Sequence, residues 1–198
     1  MDRAIYKAIN RFADHTTWAH GVVRVYAKDG IALFALLLVA GWWIGRTSAQ
    51  PTTSVAAAIA AGAGALVALG VNQPIGAAID RARPYNTIPN MHLLVDRTKD
   101  FSFASDHAII AGGVAGGLWL VHHRLGLIAG VAAFAMAFAR VYVGAHYPGD
   151  VGAGLILGAF VTIVVSRLAT RPLAQVLDRL CATPLRPVIT ATPRIPTP

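Results

Sequence analysis

Four small polar clusters carry the residue types that chemistry on a phosphate requires: Arg81-Ala82-Arg83-Pro84, Ser105-Asp106-His107, Arg140, and His146 with Asp150. Phosphoryl transfer needs charge neutralised on the phosphate oxygens, a nucleophile, and a proton for the departing oxygen. Arg83 and Arg140 offer forked donors that match phosphate. His146 and Asp150 stand four apart, and Pro148-Gly149 between them reads as a helix start. From there the carboxylate is expected to reach back to one imidazole nitrogen and leave the other as a nucleophile of fixed tautomer. Ser105-Asp106-His107 reads as the opening of another helix, whose free backbone N–H groups suit an oxyanion or phosphate. That start places His107 as general acid for the leaving oxygen.

The elements that must position these residues are apolar. The chain of 198 residues is 56% hydrophobic and only 13% charged, with a mean hydropathy of +0.57, about half the usual charged share of a soluble domain. The apolar residues form long blocks and the charges collect between them, as in a multi-span membrane protein. The expected fold is an all-α membrane bundle with five spans, at about residues 26–45, 53–79, 108–121, 125–143 and 151–166. An amphipathic N-terminal helix precedes them, with Ile5, Ala8, Ile9 and Phe12 on one face, lying at the interface or forming a sixth helix. Residues 1–180 are read as one membrane domain and 181–198 as a Thr- and Pro-rich disordered tail.

The four clusters follow the second span, precede the third, follow the fourth and precede the fifth. Since each span reverses the side of the membrane, all four fall on one side. The apolar part of the third block is about 14 residues, roughly 21 Å of helix against a hydrocarbon core of about 30 Å. Its polar end, like Arg140, therefore sits at a depth where ionisable groups mark function.

Composition narrows the partners. A net charge of +8 with no Glu could suggest nucleic acid, but no basic run interleaved with aromatics is present. Anionic lipid headgroups and an anionic substrate fit better. The lone Cys181 has no partner for an intrachain disulfide.

The three polar motifs resemble the signature of the type 2 phosphatidic acid phosphatases. Arg83-Pro84 matches the end of the first part, Ser105-Asp106-His107 the second, and Arg140, five residues, His146, three residues, Asp150 the third. The resemblance implies His146 as nucleophile, Asp150 as its orienting partner, His107 as acid, and Arg83, Arg140 and Ser105 as phosphate ligands, with no metal or other cofactor. Asp106 and the nearby cations Arg81 and Lys99 join the candidate substrate-binding set, the two cations, with Arg97 beside them, as holders of a second phosphate. Three positions depart from the pattern: Gly76 stands where the family usually has Lys, Ala104 replaces Pro, and Ala139 replaces Ser.

Details over most of the chain are similar to one branch, the bacitracin-resistance type of undecaprenyl-diphosphate phosphatase. They include Ile5-Tyr6-Lys7-Ala8-Ile9, Asn72, His92-Leu93, Asp100 with Ser102-Phe103, Asp106 and His146-Tyr147-Pro148. The branch implies hydrolysis of an undecaprenyl or decaprenyl diphosphate in the plasma membrane, at an extracytoplasmic site, to recycle the lipid carrier of cell-wall synthesis. The alternatives within the family are phosphatidic acid, phosphatidylglycerol phosphate or another prenyl-linked phosphate. A metal hydrolase using His107, His146 and Asp150 would have Arg83 and Arg140 repelling its cation. An anion transporter would not need a separate His107 beside the His146 and Asp150 pair.

Overall fold

The computed structural model describes residues 1–191, and the described part is all helix and connecting loop. The helices are α1 (Asp2–His15), α2 (His20–Asp29), α3 (Ile31–Arg46), α4 (Pro51–Ile79), α5 (Pro84–Thr87), α6 (Asp106–Val121), α7 (His123–Tyr142), α8 (Pro148–Leu180) and α9 (Arg186–Ile189). The stretch Pro51–Thr87 and helices α7 and α8 are long and apolar enough to cross a membrane; α3 and α6 are apolar but shorter, at 16 residues each.

Helices α4, α6 and α8 form the centre, and small residues allow it. A Cβ added at Gly158 would lie 2.0 Å from the carbonyl of Ile109, and one at Gly112 would lie 2.3 Å from that of Leu155. Only glycine permits α6 and α8 to approach so closely, the usual solution where packing rather than water-driven burial joins helices. Against this layer α3 packs Phe34 and α7 packs Leu125 and Met136, together with Leu118 of α6, all buried. Large side chains such as Leu36, Leu66, Phe134, Ile156 and Phe160 face outward, as expected of helices solvated by lipid rather than water.

The N-terminal segment holds two features that the sequence pattern did not show. Helix α1 docks by Tyr6, Asn10 and Ala13, all fully buried, while Ile5 and Phe12 stay about half exposed, with the Phe12 ring 6.3 Å from that of Tyr142. Asn10 pairs with the backbone of His92, Nδ2 donating to its carbonyl at 2.8 Å and Oδ1 accepting from its N–H at 2.9 Å. The first apolar block is also not one helix from residue 26. It breaks at Gly30, where a Cβ would lie 2.3 Å from the Tyr26 carbonyl and 2.7 Å from Met136 Cε. Residues 26–29 thereby become the last turn of α2, a separate helix leaning on α7.

At the other end of the chain, α8 runs through Arg167 and Arg171 to Leu180 without interruption. Disorder was expected from residue 181. The described part, 181–191, instead forms turns and α9, with Ile189 buried against Val55 and Ala56 and the Val188 carbonyl accepting from Trp42 Nε1 at 2.9 Å. The rest of that tail, 192–198, lies outside the described residues.

Candidate active site

The loops after α4, before α6 and between α7 and α8 meet at one end of the bundle. Their side chains, with those of α4 and α7, enclose a cavity of about 170 Å³ lined by Arg83, Asp106, His107, Arg140 and His146, and also by Asp100 and Phe103. His122 and His123 sit elsewhere, at the α6–α7 turn, where His122 Nδ1 accepts from the N–H of Leu125 at 3.3 Å and caps α7.

His146 is 2% exposed, and its tautomer follows from its neighbours. Nδ1 lies 2.8 Å from the carbonyl oxygen of Ser102, which can only accept, so Nδ1 carries the hydrogen. Nε2 is then an unprotonated acceptor, 3.1 Å from Arg83 Nη1 and 3.3 Å from Arg140 Nη2. Burial, with Arg140 and Arg83 adding to it, pushes the imidazole pKa well below its ordinary value. A lone pair thus faces the cavity between two guanidinium groups, the arrangement a phosphate-directed nucleophile needs.

The arginines are themselves held. Arg83 Nη2 is paired with Asp100 Oδ2 at 2.8 Å, while its Nε donates to the Asp100 carbonyl and its Nη1 to the Ala145 carbonyl, both at 3.2 Å. Burial would raise the pKa of Asp100, but its hydrogen bond from Thr98 and the charge of Arg83 bring it below the usual value. Arg140 Nη1 donates to the carbonyl of Ala27, on α2, at 3.0 Å.

The expected contact between Asp150 and His146 is replaced by a relay. Asp150 is fully buried, but its Oδ2 accepts from Ser102 Oγ at 2.5 Å and from the N–H of Tyr147 at 3.0 Å, while Oδ1 pairs with Arg81 at 2.5 Å. The Pro148 start of α8 turns the carboxylate onto the two segments that flank the imidazole rather than onto the ring. Ser102 is the link: its hydroxyl meets Asp150 and its carbonyl meets His146. Arg81 continues the chain to Asp2 Oδ2 at 2.5 Å, and Asp2 Oδ1 accepts from the N–H of Gly149 at 2.8 Å. Arg81 also lies over the Tyr147 ring, 4.1 Å from its centroid. It is a strut behind the site and does not line the cavity.

The other sequence candidates divide. His107 lines the cavity, with Nε2 3.4 Å from the carbonyl of Lys28. Ser105 is fully buried at the N-cap of α6, and its Oγ has no hydrogen-bond partner among the described residues. Asp106 lines the cavity as an acceptor, taking hydrogen bonds from Asn72 Nδ2 at 2.8 Å and Gln73 Nε2 at 3.5 Å. A carboxylate cannot donate to phosphate, so it fits a role in fixing the start of α6. Lys99 is exposed and away from the cavity lining, and Arg97 lies 5.6 Å from the centroid of the Tyr85 ring. Gly76 has a packing reason: a Cβ there would lie 2.8 Å from the Phe103 carbonyl. The loop before Ser105 occupies the space a lysine would start from.

Sequence reasoning missed Asp2 and the end of α2, and it noted Ser102 as a branch feature without assigning its link between Asp150 and His146. Asp100 and Asn72 stood out as branch features, and Asn72 holds the loop by donating to the Ala104 carbonyl at 3.0 Å.

The profile of the PAP2 superfamily matches residues 51–172. The chain belongs to this superfamily. It is 31% identical to the bacitracin transport permease protein BcrC of Bacillus licheniformis over 81% of this chain and 76% of that protein. It is 25% identical to undecaprenyl-diphosphatase BcrC of Bacillus subtilis over 91% of both. In fold it resembles the crystal structure of Aquifex aeolicus LpxE, with a TM-score of 0.61 and 22% identity, covering 84% of this chain and 94% of that one. The PAP2 match begins at α4, so α1 to α3, which supply Asp2, Ala27 and Lys28 to the site, lie outside it.

Proposed function

We propose that this PAP2 protein is a membrane phosphatase that hydrolyses a polyprenyl diphosphate to the monophosphate and inorganic phosphate. The observation that carries the reading is His146 Nε2, unprotonated and flanked by Arg83 and Arg140 in a cavity that His107 also lines. Nε2 attacks the terminal phosphorus, forming an N–P bond as the bridging P–O bond breaks. The bridging oxygen takes the electron pair and a proton from His107. Arg83 and Arg140 balance the charge on the equatorial oxygens, and the N-terminus of α6, whose N-cap is Ser105, supplies further donors. Water then attacks the phosphohistidine, giving its proton to His107 as a new P–O bond forms; the N–P bond breaks, its electron pair returns to His146 Nε2, and phosphate is released.

Two guanidinium groups supply the positive charge that a metal would otherwise bring, and among the described residues no group of three or more His, Cys or Asp side chains is placed to hold one. Turnover is therefore expected to survive chelation. The α3, α4, α6, α7 and α8 helices are taken as five spans, α1 and α2 as lying at the interface on the site side, and the site as extracytoplasmic in the plasma membrane. The name of the Bacillus subtilis relative, undecaprenyl-diphosphatase BcrC, supports the diphosphate as substrate, and recycling of a carrier lipid is the context we propose for it. The test is phosphate release from polyprenyl diphosphate, phosphatidic acid and phosphatidylglycerol phosphate in the same liposomes, with acid-labile, base-stable phosphate trapped on the protein. Label trapped on wild type and absent from His146→Ala supports the mechanism; preference for a glycerophospholipid monoester overturns the substrate.

A further inference from the structure

A second cavity, of about 190 Å³, shares Arg83, Thr98, His107 and Arg140 with the first but is completed by Lys28, Val95, Asp96 and Ala145. It contains the proposed acid and not the proposed nucleophile. In an in-line displacement the nucleophile and the leaving oxygen stand on opposite sides of the phosphorus, so the group that departs toward His107 enters this second space. For a diphosphate the departing group is itself a phosphate, with a charge of its own to be met.

The cations expected to meet it are elsewhere. Arg81 is paired with Asp2 and Asp150, Arg97 is drawn to Tyr85, and Lys99 does not line either cavity. Lys28 does, and among the described residues it has no ion-pair partner. Its position is fixed by the backbone at the end of α2: the Ala27 carbonyl accepts from Arg140 at 3.0 Å, and the Lys28 carbonyl lies 3.4 Å from His107 Nε2. The ammonium then rides on a four-carbon stem that can sweep the cavity mouth. With Arg140, and with Arg83 whose charge is shared by Asp100 at 2.8 Å, it puts three cations on a lining that holds one carboxylate, Asp96.

Beyond this cavity the surface follows the order of groups along a prenyl diphosphate. Lys28 and Asp96 pass into a polar cleft of about 310 Å³ that also includes Arg24 and Asp29. Val25 and Asp29 pass in turn into an apolar groove of about 660 Å³ lined by Val22, Tyr26, Leu33 and Leu36. A phosphate followed by hydrocarbon meets charge first and apolar surface second.

Resting on the functional reading above, we propose that Lys28 binds the phosphate of the leaving group and so sets the preference for a diphosphate over a monoester. In the displacement, the electron pair of the broken P–O bond stays on the polyprenyl monophosphate, His107 protonates the former bridging oxygen, and Lys28 offsets the charge on the remaining oxygens.

The experiment compares Lys28→Gln and Lys28→Arg with wild type on polyprenyl diphosphate and phosphatidic acid in identical liposomes. Lys28→Gln should lower kcat/KM for the diphosphate about tenfold, the scale of one charge-assisted hydrogen bond, and the monoester less than about twofold. Lys28→Arg should restore most of the loss. The unchanged monoester rate also reports an intact fold. Equal losses on both lipids, or no loss on either, would overturn the assignment. A binding arm separates this proposal from the functional reading. In His146→Ala protein, which cannot turn over by the proposed route, retention of polyprenyl diphosphate should weaken about tenfold on adding Lys28→Gln, and that of phosphatidic acid, which has no second phosphate to place at Lys28, should not. If wild type prefers monoesters the functional reading fails, and the binding arm alone then decides: selective weakening keeps Lys28 as a diphosphate ligand, and equal retention removes it.

Discussion

The site is assembled from two regions with different kinds of information in their sequences. The segment 51–172 supplies side chains: Arg83, His107, Arg140, His146 and Asp150 come from it at spacings that identify the superfamily. The first 50 residues supply mostly backbone and charge behind those side chains: the carbonyls of Ala27 and Lys28, the carboxylate of Asp2, and the Tyr6 hydroxyl that donates to the Gly144 carbonyl at 3.3 Å. A reacting group must be one of few residue types at a fixed distance from its partners, so it leaves a pattern. A supporting carbonyl can belong to any residue, so it leaves none. Mutations in the two regions should therefore differ in kind: the first should abolish chemistry, the second should misplace it.

The largest effect belongs to His146. His146→Ala should lower kcat by about 10⁴-fold or more, as expected when the nucleophile of a cooperating set is removed, while helicity and melting stay near wild type. Phosphate release in liposomes with circular dichroism checks both. Residual turnover near wild type would show that the motif region does not hold the nucleophile, and the contrast between the regions would collapse.

Next is the relay. Asp150→Asn leaves Arg81 without its buried partner and weakens the hold on Ser102 and Tyr147, a loss of about 10²-fold in kcat with little change in KM. Asp2→Asn acts on the same chain from its exposed end, where solvent shares the charge, so about threefold is expected. If Asp150 worked by direct contact with the imidazole, the Asp2 variant would be silent. Kinetics of the two single variants and the double variant decide, because residues of one network are non-additive.

A pH measurement sharpens the reading of the nucleophile. The pKa of His146 is depressed by burial, then by Arg140 and Arg83. A depressed base stays neutral as pH falls, so the acid limb of kcat/KM assigned to it should lie below about 6.5, the ordinary histidine value. By linkage, the stability this group contributes is present above about 6.5 and lost as pH falls further. In Arg140→Gln the limb of the residual activity should move up toward 6.5; the same substrate is used for both proteins, so its own ionisation cancels. A limb unmoved by that change would assign it to another group.

The same division explains what was legible. Apolar blocks and their breaks were enough to place helices in the right order, because a membrane bundle writes its elements as long runs, and α4, α6 and α7 begin and end within two residues of the expected blocks. The break at Gly30 was not readable, since it depends on how closely Tyr26 and Met136 approach. The docking face of α1 was not readable either, since part of its contact is polar: Asn10 faces inward to bind the His92 backbone, while the apolar Ile5 and Phe12 stay about half exposed. The Asp150 contact was misplaced by one link: a four-residue offset allows a carboxylate to reach the ring, but nothing in spacing reveals that Ser102 reaches both first.

The smallest expected effect is the most direct test of whether position in the motif region confers a role. Lys99 lies inside the matched segment, one residue before Asp100, and by sequence it is as plausible a phosphate ligand as any lysine in the chain. Both side chains are exposed, but Lys99 lies outside both cavities, while Lys28, from the segment before the matched one, lines one of them. A fully hydrated ammonium beyond contact range acts only through a field that salt screens over about 8 Å at physiological ionic strength. Lys99→Gln should therefore change kcat/KM for polyprenyl diphosphate by less than about twofold at that ionic strength. Any loss should shrink as salt is raised, the signature of steering rather than contact. Lys28→Gln, measured beside it, should keep most of its effect in salt because its partner phosphate is in contact. A salt-resistant loss at Lys99 equal to that at Lys28 would mean that the loop before Asp100 closes over the substrate, and the two-region division would have to be redrawn around that loop.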